Sequence, residues 1–214
     1  MQDTTTALVN VWDDKEVLEQ VKKTFANNLT EMEFMTFLRM GKATGLNPFL
    51  REIWAVKYGT GAAQIFIGRD GYRKVAQDHR EYDYHQVDAV YSNDKFVITN
   101  GDVTHEYTLT DRGNLIGAYS IVKRKGSSKA LFNFVSFKEY YNDKSPIWKD
   151  KPATMIKKVA EAQGLRGAFQ GLFAGTYSDS ENWKEESKIS ELTEQKNELE
   201  NVTTLKILDV PLSK

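Results

Sequence analysis

The sharpest chemical signal in the sequence is an arginine that does not fit the helix in which it lies. From Ala153 to Phe169 the apolar residues recur at helical spacing, and Arg166 projects into the middle of that apolar stripe. A guanidinium keeps its charge at any working pH and cannot be buried alone. Arg166 therefore requires a carboxylate, a group of backbone carbonyls, or a phosphate from outside the protein.

The same helix has a polar side. Pro152 stands where a helix readily begins, because proline lacks the N–H that would have no partner there. At about 100° per residue, Lys157 and Glu161 fall opposite the apolar stripe, one turn apart, and Lys158 falls at its edge. We therefore expect a long central helix near 152–173, with Lys157 and Glu161 paired on its outer face.

Basic residues are concentrated in two segments, although the net charge of the chain is only −1. Residues 39–77 contain seven Lys or Arg against two Asp or Glu, and residues 120–177 contain eleven against four. If the fold brings the two segments together, their surface would attract a polyanion, of which nucleic acid is the commonest. On charge alone, scattering over a solvated face is an equally good interpretation.

Several kinds of chemistry have no residues to support them. The chain of 214 residues contains no cysteine, which excludes disulfides, zinc–thiolate sites and a cysteine nucleophile. The phosphate-binding pattern Gly-x-x-x-x-Gly-Lys-Ser/Thr is absent, so nothing indicates ATP hydrolysis. The three histidines lack the spacing of metal ligands. The sequence makes no case for an enzyme, and we expect no cofactor.

The sequence also lacks the patterns of secreted and membrane proteins. Its N-terminus has no basic start followed by an apolar run. No stretch approaches the ~20 apolar residues that span a bilayer. We expect a cytoplasmic protein with no membrane association.

Helices and a short hairpin are predicted for the first third of the chain. A helix is expected over 13–26. A second helix begins at Thr30, which forms a capping box with Glu33, and this helix ends at Gly45. Two strands joined by a hairpin turn and a third helix follow, at 52–57, 64–67 and 70–79.

The middle of the chain alternates between apolar and polar residues, which is typical of strands. We predict an antiparallel meander with strands at 82–91, 95–99, 103–109, 115–125 and 130–135. The fold class is therefore α+β, with an antiparallel sheet and hairpins packed against helices.

The composition changes after Tyr177. Residues 178–214 contain five Lys against nine Asp or Glu, and aromatic residues nearly vanish. We predict a core over 1–177 and an acidic, helix-prone polar tail over 178–214, which is a candidate for docking a partner protein or a neighbouring subunit.

Several short motifs, in a fixed order over residues 15–177, carry a family resemblance. They are Gly-Leu-Asn-Pro-Phe-Leu-Arg-Glu-Ile-Trp-Ala at 45–55, Gly-Arg-Asp-Gly-Tyr-Arg-Lys at 68–74, Pro-Ile-Trp-Lys-Asp-Lys-Pro at 146–152, Met-Ile-Lys-Lys at 155–158, Ala160-x-x-Gln163-x-x-Arg166, and Phe-Ala-Gly-Thr-Tyr at 173–177. Together they resemble the phage single-strand annealing proteins of the RecT/Redβ family. Residues 82–135 match that family poorly.

The resemblance implies an ATP-independent recombinase in a bacterial host cell. Such a protein binds single-stranded DNA, forms rings and helical filaments, and anneals complementary strands into a duplex, with Mg²⁺ as a possible aid. The resemblance also implies two partner proteins, a phage 5′–3′ exonuclease and a host single-strand-binding protein.

The resemblance and the basic segments together predict a DNA-binding groove, in which Arg166, Lys157 and Arg51 match basic positions of the family. Ala153 and Thr154 depart from a basic pair found in the family, and Lys149 and Lys151 are candidates to replace it. The predicted groove residues are Arg51, Lys57, Arg69, Arg73, Lys74, Trp148, Lys149, Lys151, Lys157, Lys158 and Arg166.

Alternatives remain open at this point. Trp148 either stacks on a base or is a core aromatic beside Pro152, and Arg166 is either a phosphate ligand or a buried ion-pair partner. A nuclease or other DNA-processing enzyme that uses carboxylates and Mg²⁺ is the alternative function. A structural phage protein with an incidental basic face is the third.

Overall fold

The computed structural model describes residues 11–173, 175, 176 and 178 of the 214-residue chain. Apart from Ser178, the predicted tail lies outside the described residues and stays a prediction. The described helices are α1 Lys15–Phe25, α2 Glu31–Thr44, α3 Arg69–Gln77, α4 Phe137–Tyr140, α5 Pro146–Asp150, α6 Pro152–Ala168 and α7 Gln170–Phe173. The described strands are β1 Ile53–Val56, β2 Gln64–Ile67, β3 Tyr82–Tyr91, β4 Lys95–Thr99, β5 Asp102–Glu106, β6 Leu115–Arg124 and β7 Leu131–Ser136.

Local signals in the sequence set the ends of the first helices. The side chain of Asp14 caps α1, accepting a hydrogen bond from the backbone N–H of Glu16 at 2.9 Å. Thr30 and Glu33 form the predicted capping box at the start of α2. Gly45 ends α2 in the left-handed conformation, with φ of +66°. The predicted capping box and the predicted end of α2 at Gly45 are confirmed.

The predicted hairpin and third helix are also confirmed. β1 and β2 pair antiparallel from Ile53 opposite Ile67 to Val56 opposite Gln64. α3 begins at Arg69, two residues after β2 ends, and buries Tyr72 on its inner face. The short connection between β2 and α3 fixes the direction of the first turn of α3 relative to the hairpin.

The pairing of the longer strands differs from the predicted meander. β3 pairs directly with β6, and β6 pairs with β7, in a three-stranded antiparallel sheet. β4 and β5 pair only with each other within the described residues, around a turn at Asn100 and Gly101 that has φ of +54° and +88°. The predicted strand at 103–109 ends at Glu106. Alternation of residue types identifies strands but not their partners, so the inserted hairpin was not foreseen.

Helix α6 packs on one face of the three-stranded sheet. Alternate residues of β6, Ala118 and Val122, contribute to the cores under α6, and Ser120 between them donates a hydrogen bond to the carbonyl of Ala160 at 2.6 Å. A Cβ on Gly164 would approach Ser120 Oγ to 2.1 Å, so glycine permits this close approach. The predicted long helix is confirmed, although it ends at Ala168 and is followed by the separate helix α7.

Candidate nucleic-acid interface

An open cleft of about 710 Å³ lies beside the β1–β2 hairpin, between the end of α1 and the start of α3. Five of the predicted groove residues line it, four from the first basic segment and one from α6. The first basic segment and one residue of the second, Lys158, therefore meet at this cleft, which is one of the two outcomes that the charge pattern left open. The five residues are Arg51, Lys57, Arg69, Arg73 and Lys158.

Arg51 is held at the cleft by a tight loop. The backbone N–H of Asn47 donates to the Glu52 carboxylate at 2.7 Å, and the N–H of Glu52 donates to the carbonyl of Asn47 at 3.2 Å. Between them Arg51 adopts φ of +56°, a conformation that costs a residue with a side chain about 1–2 kcal/mol. Its exposed guanidinium forms no hydrogen bond or ion pair with the described residues.

A buried carboxylate lies behind the cleft. The side chain of Glu161 on α6 is 1% exposed, and it accepts hydrogen bonds from Nε of Arg69 and, at 2.6 Å, from Nε of Arg73. His85 Nε2 on β3 lies 2.9 Å from the same carboxylate, and its Nδ1 lies 2.8 Å from the Tyr82 hydroxyl. Burial by itself raises the pKa of Glu161, but hydrogen bonds from His85 and Arg73 and the charge of Arg69 lower it to about 2.

The predicted position of Glu161 on the outer face of its helix is wrong. One side of α6 packs on the sheet, and the polar side packs on α3, where Glu161 meets the two arginines instead of Lys157. A sequence signal for this existed. Arg69 and Arg73 are one turn apart on α3 and need a carboxylate, and Glu161 is the only acidic residue between 152 and 173.

Besides Arg69 and Arg73, two further predicted groove residues have carboxylate partners. Lys57 lines the cleft, but its side chain is only 15% exposed and its ammonium lies 2.9 Å from Glu33. This hydrogen bond is the main reason that the pKa of Glu33 is lowered to about 2. Lys74 bonds to Glu52 at 2.9 Å and to the carbonyl of Gly45 at 3.0 Å, which ties α3 to the loop that carries Arg51.

The basic residues near the start of α6 are more open. Lys149 and Lys151 are exposed, and Lys157 and Lys158 are half-buried. Of these four, only Lys158 lines the cleft, and its ammonium has no ion-pair partner among the described residues. The other three lie outside the cleft lining.

Trp148 and Arg166 have different surroundings from the other predicted groove residues. Trp148 is 2% exposed and packs with Phe137, so the structure gives it the core role that was its alternative. Arg166 is half-buried outside the cleft lining, with Nη1 3.5 Å from the carbonyl of Thr176. A backbone carbonyl was one of the three solutions that the sequence left open for Arg166.

The cleft retains an excess of positive charge. Asp70 is in its lining, and Glu33 and Glu161 neutralise part of the charge behind it. Five lining cations against these three carboxylates leave a surplus of two, which corresponds to the unpaired Arg51 and Lys158. The free backbone N–H groups in the first turn of α3, which Gly68 does not cap, add a partial positive charge that Asp70 in the same turn partly offsets.

Sequence reasoning missed one prominent residue of the lining. Trp54 on β1 lies in the cleft wall between the two buried residues Ile53 and Ala55. The alternation of the strand is the signal that places Trp54 on the opposite face from those two residues.

Comparison with known protein families assigns the chain to one of them. A family model described as RecT family matches residues 12–196. The chain belongs to the RecT family. A search of curated proteins finds no match. The RecT match continues past the predicted core boundary at Tyr177, to include the first part of the predicted tail.

Membership in the RecT family suggests single-strand annealing in phage recombination, and it implies DNA binding and oligomerisation. RecT family proteins are annealing proteins rather than classical enzymes. Within the described part of the chain, no helix is long and apolar enough to cross a bilayer. Those residues also contain no cluster of three or more His, Asp or Glu that could hold a metal ion.

Proposed function

We propose that this protein binds single-stranded DNA in the cleft, oligomerises along the strand, and anneals it to a complementary strand without ATP. One observation carries the proposal: Arg51 and Lys158, from the two basic segments, meet at one cleft with no ion-pair partner among the described residues. Two unpaired cations beside an open cleft are suited to successive phosphates of a flexible strand.

Arg69 and Arg73 add directed donors to this pair of cations. Glu161 bonds to the Nε of each guanidinium, which fixes their positions and leaves terminal N–H groups unused by that carboxylate. Their side chains remain 28% and 35% exposed, so a phosphate in the cleft can accept hydrogen bonds from them. Glu161 then acts as a positioning residue for the DNA-binding arginines.

Phosphate contacts explain how binding and annealing fit together. They supply affinity that is independent of sequence, because each contact releases counterions from the strand. The base edges stay available, so a second strand can test complementarity by pairing alone. Stacking of the new duplex contributes about 1.4 kcal/mol per step, which drives the reaction without nucleotide hydrolysis.

Many subunits side by side would align strands over many nucleotides, in the rings and filaments expected for this family. The exposed Lys149 and Lys151, together with Lys157, lie near the start of α6 and would contact DNA beyond the cleft. In the bacterial cytoplasm, a phage 5′–3′ exonuclease would supply the strand, and host single-strand-binding protein would be the competitor to displace. Mg²⁺ would aid annealing by screening the repulsion between two strands.

The test compares two double variants with the same loss of charge. Arg51→Ala/Lys158→Ala removes the two unpaired cations of the cleft, whereas Lys125→Ala/Lys138→Ala removes two exposed cations outside its lining. Binding to an unstructured oligonucleotide is measured across a series of salt concentrations. We expect the salt slope of the cleft variant to fall by about 1.4, or 0.7 for each lost phosphate contact. The control should keep the wild-type slope.

Annealing of complementary oligonucleotides without ATP completes the experiment. The cleft variant should anneal slowly at protein concentrations at which the control is fully active. Equal losses in the two variants would show that charge in general, and not this cleft, binds DNA. Strand cleavage with Mg²⁺ would instead favour the nuclease alternative.

A further inference from the structure

Trp54 offers an aromatic surface inside the cationic cleft. Two other tryptophans of the described residues, Trp12 and Trp148, are each 2% exposed, whereas Trp54 is only half-buried in the cleft wall. Its neighbours Ile53 and Ala55 point into the core, so the strand presents Trp54 to the cleft. Exposing part of so large an apolar ring is unfavourable unless something covers it.

One side of the ring packs against a buried aromatic residue. Trp54 lies opposite Phe66 in the β1–β2 register, and the two rings stack with centroids 5.9 Å apart and planes 19° apart. Phe66 is itself 3% exposed. Gly68 keeps the space next to the indole open, because a Cβ there would lie 3.4 Å from the Trp54 ring and 2.5 Å from the carbonyl of Arg51.

None of the cations that line the cleft covers this ring. Among the described residues, the cation–π contacts involve Lys22, Arg112 and Arg124, and none involves Trp54. The indole is therefore an unoccupied aromatic surface that shares a cleft with Arg51 and Lys158. Cations that track a backbone beside an aromatic platform are the combination by which proteins hold single strands of nucleic acid.

We propose that Trp54 stacks on one base of the bound strand while the neighbouring cations hold its phosphates. This inference rests on the proposed function and adds to it a base contact. Stacking uses the flat face of the base and leaves its Watson–Crick edge exposed, so it is compatible with pairing to a second strand. A cleft of about 710 Å³ limits the contact to a short segment of each subunit's DNA.

The test distinguishes the contribution of the bases to DNA binding from that of the phosphates. Wild type, Trp54→Leu and Trp54→Phe are each titrated with an oligothymidylate and with an oligonucleotide of equal length in which the central residues are abasic. Leucine keeps apolar volume in the strand but has no π face. We expect Trp54→Leu to bind oligothymidylate roughly 5- to 100-fold more weakly than wild type. Its binding to the abasic oligonucleotide should be unchanged, and Trp54→Phe should lose much less affinity.

Tryptophan fluorescence gives an independent measurement that does not depend on the leucine variant folding. Stacking should quench wild-type emission when oligothymidylate binds, and the abasic oligonucleotide should quench it less. In Trp54→Phe that quenching should disappear while binding persists.

Two results would overturn the assignment of Trp54. One is an equal loss of affinity of Trp54→Leu for both oligonucleotides. The other is quenching that persists in Trp54→Phe. Either could occur while wild type binds DNA with a salt-dependent affinity, in which case the proposed function stands without the stacked base. Failure of wild type to bind either oligonucleotide would overturn both proposals.

Discussion

Glu161 and Asp94 are two buried carboxylates with the same kind of partners and different consequences. Their side chains are 1% and 0% exposed, and each is paired with arginine and histidine. Arg112 holds the pKa of Asp94 far below its ordinary value, despite the opposing effect of burial. The pKa of Glu161 is lowered to about 2, again against burial. What differs is the exposure of the arginines.

The Asp94 centre is closed. Arg112 donates from Nε at 2.9 Å and from Nη2 at 2.6 Å to the two oxygens of Asp94, and from Nη2 to the carbonyl of Ala89 at 2.8 Å. Its guanidinium also lies 3.4 Å from the ring centroid of Tyr107 and 4.4 Å from that of Tyr91. These contacts occupy the guanidinium and connect the segment between β5 and β6 to strand β3.

The Glu161 centre is open on one side. Arg69 and Arg73 are partly exposed in the cleft, next to Arg51 and Lys158, which have no carboxylate partner among the described residues. A buried ion pair therefore indicates a binding site only when its cations keep exposed donors beside unpaired charge. Under the proposed function, the Glu161 centre is part of the DNA-binding site, whereas the Asp94 centre is structural.

The largest effect should come from neutralising either carboxylate. We expect Glu161→Gln and Asp94→Asn each to lower the free energy of unfolding by about 3–5 kcal/mol, because buried guanidinium groups lose their counter-charge. Urea unfolding at pH 7 measures this loss. Only Glu161→Gln should change DNA binding, with a steeper salt dependence, because the surplus charge in the cleft rises. A DNA-binding change of the same size in folded Asp94→Asn would contradict the comparison.

The elements themselves could be predicted, because their signals are local. The capping box at Thr30, the C-terminal glycine of α2 and the alternation of β3 each depend on residues close in sequence. The pairing of β3 with β6 depends on how the segment from 92 to 114 folds back as a hairpin. No periodicity of single strands contains that information.

The candidate site was predicted in part for a related reason. Charge density identified both basic segments, so Arg51 and Lys158 could be found from composition and resemblance. Hydrophobic periodicity could not show that the polar side of α6 is buried as well. In a sequence, the charged residues of a buried ion pair look the same as those of a solvent-exposed helix face. Other signals for Glu161 and Trp54 were present, namely two arginines one turn apart on α3 and the alternation of β1, but the charge and periodicity patterns did not use them.

A pH titration should resolve the contribution of Glu161 alone. Its pKa is lowered from 4.5 to about 2 on folding, so the carboxylate stabilises the protein fully above pH 5. That contribution, about 3 kcal/mol, is lost as the pH falls from about 5 towards 2. The difference in the free energy of unfolding between wild type and Glu161→Gln should therefore shrink as the pH falls over this range. A gap that stays constant down to pH 3 would mean that the carboxylate is not held by its arginines.

The smallest predicted effect separates stability from binding at Arg51. A glycine at this position removes the cost of φ at +56° and also the guanidinium. We expect Arg51→Gly to raise the free energy of unfolding by about 0.5–1 kcal/mol relative to Arg51→Ala, which keeps the strain. Both variants should reduce the salt slope of DNA binding by about 0.7.

Asp111, next to the Asp94 centre, is the matched control for Arg51, because it has a similar positive φ. It has φ of +57°, is exposed, and lies beside Arg112 in the sequence, far along the chain from the residues that line the cleft. Asp111→Gly should gain similar stability relative to Asp111→Ala and leave the salt slope unchanged. If Arg51→Gly gained stability and still bound DNA like wild type, Arg51 would be no more than a turn residue. A gain in stability with a loss of binding would instead mean that the Arg51 guanidinium contributes to DNA binding from a strained backbone position.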